Sequence, residues 1–199
     1  LPLASQSAFT AGNNNVSFSL AAEGEGNVPI IVFSHGSQST ALQSVRMCEH
    51  LASYGFIVVA PTHTGNTFSD PFNVSTTTTY EDRPLDVDFA LLSTGALFPQ
   101  ADVTNVGITG HSMGGYTSLA SAARNPNIKA LMPIAPCCVS RVTDITSIAQ
   151  PTLFMTGTAD PLLPEEEVAA TIIAAYHNVR ADVINATHFH FANICDIGD

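Results

Sequence analysis

The stretch that most constrains this chain is Gly110-His111-Ser112-Met113-Gly114-Gly115. An apolar, β-branched run from Val103 to Thr109 leads into it, and a segment rich in small residues, Tyr116 to Arg124, leads out. Strand, tight turn and helix in that order is the setting in which G-x-S-x-G presents a serine nucleophile on a sharp elbow. The glycines follow from sterics. A serine on so tight a turn needs neighbours without side chains, because the strand and helix backbones nearly touch around it. The turn also puts the serine at a helix N-terminus, where backbone N–H groups and the helix dipole favour negative charge. A plainer role is open to the same serine, capping the helix, and the rest of the chain has to separate the two.

The surrounding pattern is α/β. Val28 to Phe33 is a continuous apolar run, as in a strand buried on both faces, and it ends in Ser34-His35-Gly36-Ser37-Gln38. Ala41 to Tyr54 carries Leu42, Val45 and Leu51 at helical spacing, with Gly55 where a terminating glycine belongs. Phe56 to Ala60 is a second apolar strand, stopped by Pro61. Strand, helix and strand in such quick succession specify a βαβ unit and a parallel sheet. Pro61 to Thr79 reads as a long polar loop, and Glu81 to Leu97 as a helix with Pro84 in its first turn. Ile128 to Ala135, Pro151 to Thr156 and Ala181 to Asn185 read as strands, and Glu165 to His177 as a helix. At the start, residues 1–15 read as a surface-draped segment and Val16 to Ala22 as a half-buried strand. The expected architecture is one domain over 1–199, a mostly parallel, doubly wound sheet flanked by helices. Ligands of such sheets sit at the carboxyl ends of the strands.

Three chemical groups fall just past strand ends, in the order Ser112, Asp160, His188. A serine hydroxyl needs an adjacent base, a histidine can take its proton and return it to the leaving group, and an ionised aspartate fixes that histidine's tautomer. Asp160 follows a strand in Thr156-Gly157-Thr158-Ala159-Asp160-Pro161, where it would otherwise cap a turn. Its rivals are Asp144, in mid-loop, and Asp182, which opens the last predicted strand. His190 is the rival of His188. His35 and His111 read as structural, and His50 and His177 fall in predicted helices. Donors for a developing oxyanion are expected from the backbone N–H of Met113 and from the loop after the first apolar strand, with Ser37 first and Gly36 second. Gly36, His63, Phe68 and Phe72 are the expected substrate-binding residues, with Tyr80 and Met113 as further apolar surface. Only 15 residues separate Ala135 from Pro151, too few for a large helical lid.

Composition removes several function classes. The net charge is −11, with one lysine and five arginines, so a nucleic acid partner would be repelled. No apolar run approaches the length of a membrane span. Cys48, Cys137, Cys138 and Cys195 match no zinc spacing. A bridge from Cys137 or Cys138 to Cys195 would tie the C-terminal segment to the body. Low lysine and abundant Asn, Ser and Thr lean towards a secreted protein, expected to act as a monomer.

These residues together resemble the α/β-hydrolase superfamily over nearly the whole chain. The carriers are Val32-Phe33-Ser34-His35-Gly36, Leu51 to Phe56 with Val58-Val59-Ala60-Pro61, Arg83-Pro84-Leu85-Asp86-Val87, the elbow, and His188-Phe189-His190-Phe191. More narrowly, the chain looks like the branch of dienelactone-hydrolase-like and platelet-activating-factor-acetylhydrolase-like esterases, and it also resembles cutinase-type polyester hydrolases. The resemblance implies an α/β-hydrolase fold without a large lid. It implies carboxylic ester hydrolysis through an acyl-enzyme, without metal or organic cofactor. The short segment after Ala135 points to short-chain esters and polyesters, and the alternatives are an amidase or peptidase with the same triad, or an inactive binding module. The resemblance supports His188 as the base, and it makes Arg83 and Asp86 a structural ion pair. Dienelactone hydrolases use a cysteine where Ser112 stands, so that activity is not implied.

Overall fold

The structure is a computed structural model that describes residues 6–11, 14–19, 27–71, 77–163 and 178–192. Its frame is an eight-stranded sheet in the order β1-β2-β4-β3-β5-β6-β7-β8. The strands are β1 (Gln6–Ala11), β2 (Asn14–Ser19), β3 (Val28–Ser34), β4 (Ile57–Ala60), β5 (Ala101–His111), β6 (Ile128–Ile134), β7 (Thr152–Gly157) and β8 (Asn178–Val183). β3 to β8 are mutually parallel, whereas β1 and β2 form an antiparallel pair on the free edge of β4. The fold is the α/β-hydrolase type that the sequence pattern implies.

From β3 the chain moves outward to β4 and then returns past β3 to β5. That reversal divides the helices between the two faces. Side chains on a strand alternate between faces, so neighbouring residues of β3 enter different cores. Phe33 packs with Ala41 and Ala60 against Met47 and Cys48 of α1 (Val45–Ser53). Ile30 and Val32 join the main core with Val87 and Leu91 of α2 (Thr77–Leu97) and Leu119 and Ala122 of α3 (Met113–Arg124). The reversal also opens a crevice at the carboxyl ends of β3 and β5, where the loops from Ser34 and from His111 leave the sheet.

Several boundaries differ from the sequence expectation. Residues 6–11, read as irregular, pair with β2 through a backbone ladder that needs no apolar signature. α2 begins at Thr77, so Pro84 lies well inside it and not in its first turn. Proline has no N–H for the carbonyl four residues back. That carbonyl, Tyr80 C=O, accepts the Tyr116 hydroxyl at 3.2 Å. β8 ends at Val183, so Asp182 lies near its carboxyl end and does not open it. Among the described residues Cys137 and Cys138 are in no disulfide, and their sulfurs lie 2.9 Å apart. Cys195 itself and the predicted helix Glu165 to His177 lie outside the described residues. Among the described residues no helix is long and apolar enough to cross a membrane.

Candidate active site

β5 delivers Ser112 at φ 56° and ψ −115°, a conformation costly for any residue with a Cβ. The glycines around it show why the turn is kept. A Cβ on Gly114 would fall 1.8 Å from the Ser34 carbonyl oxygen, and one on Gly110 would fall 2.4 Å from the carbonyl oxygen of Gly114. The start of α3 is thereby pressed against the end of β3. Ser112 occupies the N-cap position of α3, but its hydroxyl makes no capping hydrogen bond. The plainer role is therefore unfilled. Backbone bonds hold the elbow, with Ser112 N–H donating to Ile134 C=O at 2.9 Å and Ser112 C=O accepting from Cys137 N–H at 3.1 Å.

Asp160 and His188 meet directly. Nδ1 of His188 lies 2.8 Å from Oδ2 of Asp160, with side chains 6% and 2% exposed. The other oxygen, Oδ1, accepts the N–H groups of Leu162 and Leu163 at 2.9 and 3.1 Å. Asp160 thus caps its turn with one oxygen and orients the imidazole with the other. With Nδ1–H donated to the carboxylate, Nε2 of His188 is left as the basic nitrogen. The two loops are locked together at Gly157, where an added Cβ would fall 2.3 Å from the Ala186 carbonyl oxygen. Ala159 N–H donates to that same carbonyl at 3.0 Å. His190, the rival base, turns back on its own 3₁₀ turn and accepts Thr187 N–H at Nδ1. Asp182, the rival acid, accepts from Arg180 Nε at 2.7 Å and from the Thr156 hydroxyl.

His111, the residue before Ser112 in the chain, packs against this pair. The rings of His111 and His188 lie 4.6 Å apart, and His111 Nε2 donates to the His188 carbonyl at 2.9 Å. Burial, and then the positive form of His188, hold the His111 imidazole down at about 4.

Beside the elbow, Met113 is the first residue of α3, so its N–H has no intrahelical acceptor. Its side chain is only 2% exposed and packs inward, so it adds no surface to the crevice. Ser37 follows β3 at the facing edge of the crevice, and its hydroxyl accepts from Asn66 Nδ2 at 3.3 Å. Gly36, the second choice as a donor, already gives its N–H to Gln43 Oε1 at 2.6 Å.

Two expectations are corrected here. His63 does not line the pocket: it is 1% exposed, with Nε2 on the Ser34 hydroxyl at 2.9 Å and Nδ1 on Asp86 at 2.8 Å. Arg83 does not pair with Asp86 through a direct bond. Its guanidinium, fully buried, bonds neutral oxygens: Thr117 Oγ1 at 3.0 Å, Asn66 Oδ1 at 2.5 Å, Ser34 Oγ at 3.2 Å and the His35 carbonyl. Burial lowers Arg83 to about 9 and raises Asp86 to about 6. His35 is structural, as expected, with Nδ1 donating to Gly36 C=O and Nε2 accepting His63 N–H. Phe68 stands 70% exposed, and Tyr80 is packed edge-on against Tyr116. Phe72 lies outside the described residues. Gln43, which bridges Gly36 and His111, carried no sequence signal, since its partners are 7 and 68 positions away. Among the described residues no His, Cys, Asp and Glu cluster is arranged to hold a metal ion.

The chain is similar to several known cutinases. Cutinase est1 of Thermobifida alba is 27% identical over 166 residues, covering 80% of this chain and 53% of that protein. Cutinase 1 of Thermobifida cellulosilytica is 26% identical over 210 residues, covering 94% of this chain and 74% of that protein. Cutinase 2 of the same organism is 26% identical over 139 residues. The chain spans about half the length of the first of these relatives. The match to the PET hydrolase-like family runs from residue 2 to residue 196, and the chain belongs to that family.

Proposed function

We propose that the protein is a serine carboxylic ester hydrolase in which Ser112, His188 and Asp160 act as a triad. The observation that carries the reading is the buried 2.8 Å bond between His188 Nδ1 and Asp160 Oδ2, set beside a serine elbow whose hydroxyl does not cap its helix. Nε2 of His188 takes the Ser112 proton as Oγ attacks the ester carbonyl. The N–H groups of Met113 and Ser37 receive the developing oxyanion, each contributing about 3 kcal/mol in the transition state. His188 then protonates the departing alcohol. Water attacks the acyl-enzyme by the same route in reverse, and the serine is restored with no cofactor.

The substrate side is open. The segment between β6 and β7 holds only two short 3₁₀ turns, Val139–Arg141 and Ile145–Ser147. Large apolar side chains stand exposed near the site: Phe68 at 70%, Leu162 at 58% and Phe189 at 57%. Such a surface suits short-chain esters and an extended polyester better than an enclosed lipid, and several relatives carry the name cutinase. A single lysine and a net charge of −11 support a secreted, monomeric enzyme. The test is hydrolysis of p-nitrophenyl butyrate by the wild type and by Ser112→Ala. Turnover in the wild type and its loss in the variant are expected; equal turnover in both would sink the reading.

A further inference from the structure

One chain of hydrogen bonds crosses beneath the serine and joins the two loops between which it works. Gly36 N–H donates to Gln43 Oε1 at 2.6 Å. Gln43 Nε2 meets His111 Nδ1 at 2.6 Å, and His111 Nε2 meets the His188 carbonyl at 2.9 Å. The polarity is forced from both ends. A backbone N–H can only donate, so the Gln43 oxygen must face Gly36 and its amide nitrogen must face His111. A carbonyl can only accept, so His111 must carry its proton on Nε2 and offer a lone pair at Nδ1. Every link is satisfied only when His111 is neutral and in that tautomer. Gln43 and His111 are each 2% exposed, so no water substitutes for either. The space is filled: a Cβ on Gly36 would lie 3.3 Å from both Gln43 Oε1 and His111 Nδ1.

We propose that Gln43 and His111 are positioning residues: a neutral relay that fixes the loop carrying Ser37 and the turn carrying His188 at a set distance across Ser112. The proposal rests on the ester-hydrolase reading above. Neither residue touches substrate. The relay acts because the oxyanion donor and the base must both be held to a fraction of an ångström, and displacing either by about 1 Å costs on the order of 100-fold in rate. The titratable groups that face His111 are His188, on the 3₁₀ turn packed against it, and Asp160 behind that ring.

Gln43→Glu separates positioning from mere packing. A carboxylate at residue 43 still accepts Gly36 N–H but has no donor for His111, so the relay closes only when His111 gains a second proton, on Nδ1. The expected result, with p-nitrophenyl acetate, is a variant whose kcat falls as pH rises through the alkaline range where wild-type kcat is level, with KM within about threefold. Gln43→Leu, which cannot close the relay in any protonation state, loses about 10- to 100-fold in kcat at every pH. Folding of both is checked by circular dichroism. In the wild type, imidazole ¹⁵N spectra are expected to show His111 as the Nε2–H tautomer from pH 5.5 to 8, a readout independent of turnover. A kcat profile for Gln43→Glu parallel to that of the wild type, or an Nδ1–H tautomer of His111, would overturn the relay. A wild type that does not turn over the ester at all refutes the hydrolase reading instead, and leaves the spectrum to judge the hydrogen-bond chain.

Discussion

Acid should destabilise this protein chiefly through its buried histidines. Burial lowers His35 to about 3 and His111 to about 4, from an ordinary value of 6.5, and it holds His63 well below that value too. A group whose folded value is depressed binds fewer protons when native, so its contribution to stability is present above the unfolded value and fades as pH falls below it. At pH 5 the unfolded imidazoles are protonated and the folded ones are not. Each of His35 and His111 then costs about 2 kcal/mol relative to pH 8, roughly 4 kcal/mol for the two. Asp86 opposes them. Its folded value is raised to about 6, so it takes up a proton in the native state near pH 5 and returns about 1 kcal/mol. Asp70, Asp102 and Asp182 are lowered by hydrogen bonds and titrate below this window. The net loss is about 3 kcal/mol before His63 adds to it, a large share of the 5–15 kcal/mol typical of a folded protein. Urea titrations at pH 8 and pH 5 should show the midpoint falling by about 1.5 M for a slope near 2 kcal/mol/M. A midpoint that holds or rises at pH 5 would refute the claim that these imidazoles are kept neutral by burial.

Other perturbations test the remaining parts. Gly114→Ala drives a methyl to 1.8 Å from the Ser34 carbonyl, so a loss above about 3 kcal/mol, or no soluble protein, is expected from chemical denaturation. Asp160→Asn preserves the cap to Leu162 and Leu163 but removes the ionised partner of His188; kcat for p-nitrophenyl butyrate should drop by about 10⁴ with the melting temperature within a few degrees. Replacing Phe68 by Ala should reduce release of soluble products from a polyester film several-fold while leaving p-nitrophenyl acetate turnover within about twofold, because this ring stands 70% exposed.

What was legible in the sequence follows from where the physics is local. The elbow announced itself because strand, glycines and helix are contiguous, and β3, β4 and β6 because a strand buried on both faces must be apolar throughout. Asp160 and His188 were legible because a parallel sheet brings successive strand ends to one edge. Burial of polar residues was not legible. His63 and Asn66 sit in a stretch that reads as exposed loop, and only the fully buried Arg83 guanidinium, arriving from α2, gives that loop a reason to turn inward. The start of α2 was misplaced because Pro84 looked like a first-turn residue; the Tyr116 hydroxyl that satisfies the orphaned carbonyl comes from a distant helix. The Gln43 bridge joins positions that no local pattern connects.

The central claim is that Ser112 is activated by His188, and covalent labelling reads it most directly. The intact protein is treated with a fluorophosphonate and digested, and the modified residue is mapped by mass spectrometry, alongside His188→Ala. The account predicts one phosphonyl adduct per chain, on Ser112, formed rapidly in the wild type and slowed by at least about 10³-fold in the variant. An adduct on another residue, or equal labelling rates with and without His188, would contradict it.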